Sequence, residues 1–314
     1  MSRGRLLPAL VLSLALGASL AGCSSDTGAA AAATNEASEP IVIATTNFTE
    51  TKILASMYEQ VLEKAGQPAE VKELTTREVI APALEAGEVQ LTPEYLGSLT
   101  EFLNKAANGP DAQQVASGDV AATYAAAQDL AEPRSITLLQ PSAAQDQNAF
   151  AVTQDFAAAN NLATLSDLGT YSQGTPLSLA GPPECPQRPF CQLGLEDVYE
   201  VKVAEFVPLD AGGPLTIQAI EQGKVDVGLV FSSSGAVTAD ELVVLADDKQ
   251  WQTAENILPA LHAPSVTATI STALDSVSKA LTTDELQALN ARVEIDRQDP
   301  DAVAAAFLQS KGLL

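Results

Sequence analysis

Short apolar runs alternate with amphipathic stretches along most of this chain. Residues 41–44 read Ile-Val-Ile-Ala, which is typical of a buried strand, and residues 52–65 place apolar side chains at helical spacing. A second strand is predicted at 71–74, a second helix at 78–86, and a third strand leads from Leu91 towards Tyr95. This β-α-β-α-β order predicts a mainly parallel sheet flanked by helices.

A second α/β unit follows the first. Its strands are predicted at 148–152, 177–180 and 225–231, and the chain ends in helical patterns at 271–280, 283–293 and 301–311. We expect two lobes, 41–140 plus 246–314 and 141–245, joined by two hinge segments near 139–145 and 239–247. Because ligands of open α/β sheets bind at the carboxyl ends of strands, the loops there are expected to face one cleft.

The N-terminal residues predict export and anchoring. Arg3 and Arg5 precede an apolar stretch that ends in Leu-Ala-Gly-Cys23, a pattern that resembles a bacterial lipobox. We expect a signal peptide at 1–22 and a lipidated Cys23 that begins a flexible tether at 23–40. A plain secretory signal is the alternative. The expected location is the extracytoplasmic side of the cell membrane.

Composition and charge narrow the classes of function. The 314 residues hold 16 Lys plus Arg against 40 Asp plus Glu, a formal charge of −24, which argues against nucleic-acid binding. His262 is the one histidine, and the chain has neither a G-x-S-x-G elbow nor a Walker-type phosphate loop. We therefore expect no enzyme activity, no metal site and no cofactor.

Cys185 and Cys191 remain after Cys23 is set aside. Exported chains tolerate disulfides, and the two cysteines lie six positions apart in a proline-stiffened segment. We expect a local disulfide, with two free thiols as the alternative.

A series of short motifs resembles the substrate-binding proteins of glycine betaine/choline-type osmoprotectant ABC transporters. In chain order they are TNFTE at 46–50, TREV at 76–79, PALEAGE at 82–88, PEYLG at 93–97, DL at 167–168, GPPECPQRP at 181–189, QAIEQGKVD at 218–226, LVVLADDK at 242–249 and FLQSKGL at 307–313. The resemblance runs from residue 41 to the C-terminus. It implies a type II periplasmic-binding fold that closes on a small solute.

The resemblance also implies a binding site in which aromatic rings hold a trimethylammonium group by cation–π attraction. By position, Tyr95, Phe150 and Phe231 match the aromatic box, and Arg188 and Ser98 match groups that hold a ligand carboxylate. Three further residues are expected at the ligand: Thr46, Asn47 and Glu255. Glu255 lies at a position where the family often has a tyrosine, and in place of a ring it offers a negative charge to a cationic ligand.

The implied partners are a small solute, an ABC permease and its ATPase, with the membrane reached through the lipid anchor. We expect a monomer. A surface receptor that presents a different solute to a sensor is the alternative function, and a structural lipoprotein without a ligand is a third.

Overall fold

The computed structural model describes residues 39–183, 185–239 and 242–314. The predicted signal peptide, the lipidation site Cys23 and nearly all of the tether lie outside these residues. Within them, no helix is both long enough and apolar enough to cross a membrane.

The first segment begins with the predicted β-α-β-α-β alternation and continues with two helices and a fourth strand. Its elements are β1 (Ile41–Thr45), α1 (Thr49–Lys64), β2 (Ala69–Glu73), α2 (Arg77–Ala86), β3 (Leu91–Tyr95), α3 (Leu96–Asn108), α4 (Val120–Ala131) and β4 (Ile136–Leu138). Helix α3 begins directly after Tyr95, where the sequence analysis expects a loop, so Ser98 lies in the first turn of a helix.

The second segment repeats this alternation, and the chain then returns to the first sheet. The second segment contains β5 (Asn148–Thr153), α5 (Gln154–Asn160), α6 (Leu165–Ser172), β6 (Leu177–Gly181), α7 (Gln192–Tyr199), β7 (Val203–Pro208), α8 (Pro214–Glu221), β8 (Val227–Phe231), α9 (Gly235–Ala239) and β9 (Leu242–Leu245). The return consists of β10 (Ile257–His262), α10 (Ala268–Ala280), α11 (Thr283–Glu294) and α12 (Pro300–Ser310).

The described strands form two five-stranded sheets. Their orders are β2-β1-β3-β10-β4 and β7-β6-β8-β5-β9. In each sheet one strand, β10 or β5, runs antiparallel to both of its neighbours. The two mixed sheets, each flanked by helices, make a two-lobed α/β fold.

Two crossings connect the sheets. The first lies between β4 and β5, and the second between β9 and β10. The second crossing therefore occupies 246–256, later than the predicted 239–247, because residues 242–245 pair with β5 in the second sheet.

Both faces of each sheet are covered by apolar packing. In the first lobe, α1 and the three C-terminal helices cover one face, and α2, α3 and α4 cover the other. In the second lobe, the cluster around Phe150 includes α5, α6 and α7, and the opposite face packs on α8 and α9. Strands buried on both faces have continuous apolar runs, which explains the pattern of β1.

Helices α9 and α11 hold the two lobes together on one side of the molecule. A Cβ on Gly235 would lie 2.2 Å from the backbone nitrogen of Ala291, so only glycine fits this contact. Beside it, the Asn290 side-chain amide donates to the carbonyl of Ser233 over 2.9 Å.

We predict that Gly235→Ala destabilises the folded protein by about 1–3 kcal/mol, because the nearest atoms are backbone and cannot move aside cheaply. Thermal unfolding measures the effect. Gly174→Ala is the matched control, since its Cβ would meet only the Tyr171 carbonyl, at 3.8 Å. Equal midpoints for the two variants would contradict this helix contact.

Candidate functional site

The two crossings pair with each other and thereby bring polar side chains together. Gln145 forms an antiparallel bridge with Asn256, and the Asp146 backbone N–H donates to the Glu255 carbonyl over 3.1 Å. The Gln147 side-chain amide reinforces this pairing by donating to the Thr253 carbonyl over 2.7 Å. Asp146 and Glu255, far apart in sequence, are neighbours for this reason.

A pocket of about 260 Å³ lies against these crossings. It is bounded by the end of β3 and start of α3, by the start of β5, by the loop before α7 and by the second crossing. The lining residues are Tyr95, Ser98, Asp146, Asn148, Phe190, Gln252, Thr253 and Glu255. Drug-sized ligands need pockets of about 300–1,000 Å³, so this pocket suits a smaller solute.

Two aromatic rings line the pocket from opposite lobes. Tyr95 ends β3, and its hydroxyl donates to Glu50 Oε1 over 2.7 Å. Phe190 lies in the loop between Cys185 and Cys191, which are joined by a disulfide. Behind Phe190 is Trp251, with ring centroids 6.2 Å apart. The pocket therefore has a rigidly held ring on each side.

Trp251 is itself fixed by the second lobe. Its ring stacks on Phe150 at 6.1 Å and meets the edge of Tyr199 at 6.0 Å. A Cβ on Gly194 would lie 2.2 Å from the indole, so the close approach of α7 depends on that glycine. The Trp251 backbone N–H donates to Asp247 Oδ1 over 3.0 Å, and the Tyr199 hydroxyl donates to the same oxygen.

Carboxylates dominate the electrostatics of the pocket. Burial raises the pKa of Asp146 well above its ordinary value, and the nearby Glu50 and Glu255 raise it further. Burial also raises the pKa of Glu255 and of the fully buried Glu50. Asp146 Oδ1 is buried and accepts no hydrogen bond from any described residue. The site is therefore an acidic pocket, in which hydrogen bonds from Ser233 lower the pKa of Asp146 only in part.

The Arg77 guanidinium lowers the pKa of Glu255 and so offsets the burial of that carboxyl only in part, because it is paired with another acid. Two nitrogens of Arg77 donate to the Glu94 carboxylate: Nε lies 3.0 Å from Glu94 Oε2, and Nη2 lies 2.7 Å from the same oxygen. Nη2 also donates to Ser98 Oγ over 3.0 Å. Arg77 thus stabilises the start of α3, and its positive charge is paired with Glu94.

The residues predicted from sequence are divided between the pocket and other places. Tyr95, Ser98 and Glu255 line the pocket. Phe150 is fully buried in the core of the second lobe, because β5 is paired on both edges and covered on both faces. Phe231 ends β8 and lines a larger cavity of about 680 Å³, together with Phe48 and Asn290.

Three more predicted residues lie outside the small pocket. Arg188 is exposed in the disulfide loop, two positions before Phe190. Asn47 is exposed, and its Oδ1 accepts from Lys52 Nζ over 2.7 Å. Thr46 Oγ1 lies 2.9 Å from Thr51 Oγ1 and accepts the Phe48 N–H at the start of α1.

Sequence reasoning missed several pocket residues, of which Asp146 and Phe190 matter most. Asp146 directly follows the predicted hinge at 139–145, and a carboxylate at a hinge facing a cleft is a usable signal. Phe190 lies in the same Cys-bounded loop as Arg188. Only 4% of the residues are aromatic, so an aromatic side chain in a loop expected to face the cleft is a signal for a ligand contact. Asn148, Gln252 and Thr253 carry no local signal of their own.

Glu50 connects the small pocket with the larger cavity. Its Oε1 accepts from Tyr95, which lines the small pocket, and its Oε2 accepts from Asn290 over 2.7 Å. Asn290 lines the larger cavity and also donates to Ser233 in the second lobe. One buried hydrogen-bonded chain thus runs from the pocket wall across the lobe boundary.

Comparison with known proteins places this architecture in a family. Residues 39–310 match the substrate-binding domain of ABC-type glycine betaine transport systems. The chain belongs to this family. Its members are solute-binding proteins rather than enzymes, and they act outside the cytoplasm.

Two family relatives are similar over most of their length. The glycine betaine-binding protein YehZ of Escherichia coli (strain K12) is 29% identical, over 88% of this chain and 92% of YehZ. A glycine-betaine-binding protein of Pseudomonas aeruginosa is 28% identical, over 88% of this chain and 89% of its own length.

Solved structures agree with the family assignment. Apo YehZ from Escherichia coli superimposes with a TM-score of 0.76 at 28% identity, covering 88% of this chain and all of the other. A glycine betaine/carnitine/choline ABC transporter protein reaches 0.77 at 22% identity, covering 87% and 99% of the two chains. The two-lobed fold is therefore that of type II periplasmic-binding proteins.

The acidic pocket makes stability depend on pH. Because the pKa of Asp146 is raised, the folded protein holds this proton more tightly than the unfolded chain does. Its stabilising contribution is complete below the ordinary value of 3.8 and is lost as the pH rises through the raised pKa. We predict that Asp146→Asn reduces the fall in thermal midpoint between about pH 5 and about pH 8.

Glu50 and Glu255 keep their raised pKa values in this variant, so the fall becomes smaller without disappearing. Asp129→Asn is the control, since Asp129 is exposed on α4. An unchanged pH dependence in Asp146→Asn would contradict the buried state of this carboxyl.

Proposed function

We propose that this protein is the solute-binding lipoprotein of an ABC importer and captures a small quaternary ammonium compound in the Tyr95 pocket. One observation carries the proposal: two aromatic rings, Tyr95 and Phe190, line the same pocket as two half-buried carboxylates, Asp146 and Glu255. Rings and carboxylates together favour a bulky organic cation over an anion or a neutral solute.

The physical basis is the poor hydration of a quaternary ammonium group. The faces of Tyr and Phe rings attract such a cation, with about 0.5–2 kcal/mol for each useful contact. A cation also compensates buried carboxylates whose ionisation is otherwise costly. Two relatives support this chemistry, since the Escherichia coli and Pseudomonas aeruginosa proteins described above are named for glycine betaine.

The rest of the proposed role concerns delivery. The protein is anchored through lipidated Cys23 outside the cytoplasm, acts as a monomer without catalysis or a cofactor, and passes its solute to a permease driven by an ATPase. The family assignment and the lipobox-like sequence support this role. Hinge bending between lobes joined by two crossings would capture and release the solute.

We predict that the purified protein binds tetramethylammonium, choline or glycine betaine in isothermal titration. Tyr95→Ala should weaken binding by about 2- to 30-fold, the loss expected for one cation–π contact. Tyr95→Phe keeps the ring and loses the hydrogen bond to Glu50, so it separates these two contributions.

Tyr171→Ala is the matched control. That tyrosine packs edge-on against Phe156 at 5.4 Å in the second lobe and does not line the pocket. Failure of all three compounds to bind, or equal losses in Tyr95→Ala and Tyr171→Ala, would refute the proposed site.

A further inference from the structure

We propose that Glu255 makes this pocket select an organic cation that lacks a carboxylate, such as choline, over a zwitterion such as glycine betaine. The inference rests on the proposed function and concerns specificity at the same site. Its basis is that the Glu255 carboxylate occupies the hydrogen-bond donors that a ligand carboxylate would require.

The start of α3 is the natural place for an anion in this pocket. Backbone N–H groups in the first turn of a helix have no partner within the helix and attract negative charge. Here Glu255 Oε2 accepts the Ser98 N–H over 3.0 Å, and the Ser98 hydroxyl bonds to the same carboxylate. Thr253 Oγ1 donates to Glu255 Oε1 over 3.0 Å. The protein therefore supplies its own anion there.

Other side chains that line the pocket also donate to protein acceptors. The Tyr95 hydroxyl donates to Glu50. The side-chain amides of Asn148 and Gln252 each donate to the Phe190 carbonyl, both over 3.3 Å. Each of these amides keeps a second N–H, but the donors at the start of α3, where a helix N-terminus favours an anion, are taken by Glu255.

Charge adds to this geometric argument. A carboxylate bound here would lie beside Asp146 and Glu255, with Glu50 behind the Tyr95 ring. Arg77, the guanidinium nearest to Ser98, is paired with Glu94. Like charges in a partly buried site repel strongly, whereas these carboxylates attract a ligand with a single positive charge.

The space left beside Gly97 is also closed. A Cβ at Gly97 would lie 2.9 Å from Glu255 Oε1 and 2.9 Å from Thr253 Cβ. The Glu255 carboxylate is thus packed tightly against the backbone of α3, and a ligand carboxylate cannot sit next to it on the same donors. A ligand carboxylate can bind these donors only by displacing the Glu255 carboxylate.

The test measures dissociation constants for choline, glycine betaine and tetramethylammonium by isothermal titration of the wild-type protein, Glu255→Gln and Glu255→Ala. The wild type should bind choline at least tenfold more tightly than glycine betaine. Tetramethylammonium, which also lacks a carboxylate, should show the same preference over glycine betaine. In both variants the preference should move towards glycine betaine by at least tenfold, because the Ser98 donors become available and one negative charge is lost.

Glu63→Gln, which removes one charge from an exposed position on α1, is the control and should leave the preference unchanged. A wild-type protein that binds glycine betaine as tightly as choline overturns the inference while leaving the proposed function intact, whatever the variants do. So does a preference that Glu255→Gln and Glu255→Ala fail to change. If none of the three compounds binds the wild type, the proposed function fails and the inference fails with it.

Discussion

The site depends on three carboxyl groups held together where the two lobes meet: Glu50, which is fully buried, and Asp146 and Glu255, which are half-buried. Burial disfavours their charged forms and raises their pKa values, and the charges of Glu50 and Glu255 also make ionisation of Asp146 harder. A fold that keeps such groups together loses stability at neutral pH unless a positive charge compensates them. The arrangement is therefore understandable as a cation site, in which ligand binding removes a cost that the empty protein bears.

The surrounding scaffold keeps these groups in place from several directions. The paired crossings fix Asp146 and Glu255 next to each other. The disulfide loop and Trp251 hold Phe190 against the pocket, with Phe150 forming the next layer in the core of the second lobe. Aromatic residues in this lobe thus contribute to the site through one another, and only Phe190 reaches the pocket surface.

Local pattern predicted much of the fold. The elements β1, α1, β2, α2 and β3 follow from apolar periodicity, as do the three C-terminal helices, whereas α3 was not predicted. Strand β10 was missed because Pro259 stands inside it, and proline argues against a central strand. It is accommodated opposite Pro93 of β3, a pairing between residues distant in sequence that no local pattern reveals.

The site was less predictable for the same physical reason. Tyr95, Ser98 and Glu255 were identified through positional resemblance, and they do line one pocket. Position alone could not show that Phe150 is buried by strands on both sides, or that Phe190 rather than Arg188 faces the pocket. The role of Asp146 depends on pairing between the two crossings, which forms only when both lobes are assembled.

A crystal structure of the protein with a bound trimethylammonium compound would test the central claim most directly. The account predicts the quaternary nitrogen within about 6 Å of the ring centroids of Tyr95 and Phe190, between the carboxylates of Asp146 and Glu255. A ligand found instead in the larger cavity beside Phe231, with the Tyr95 pocket empty, would contradict it.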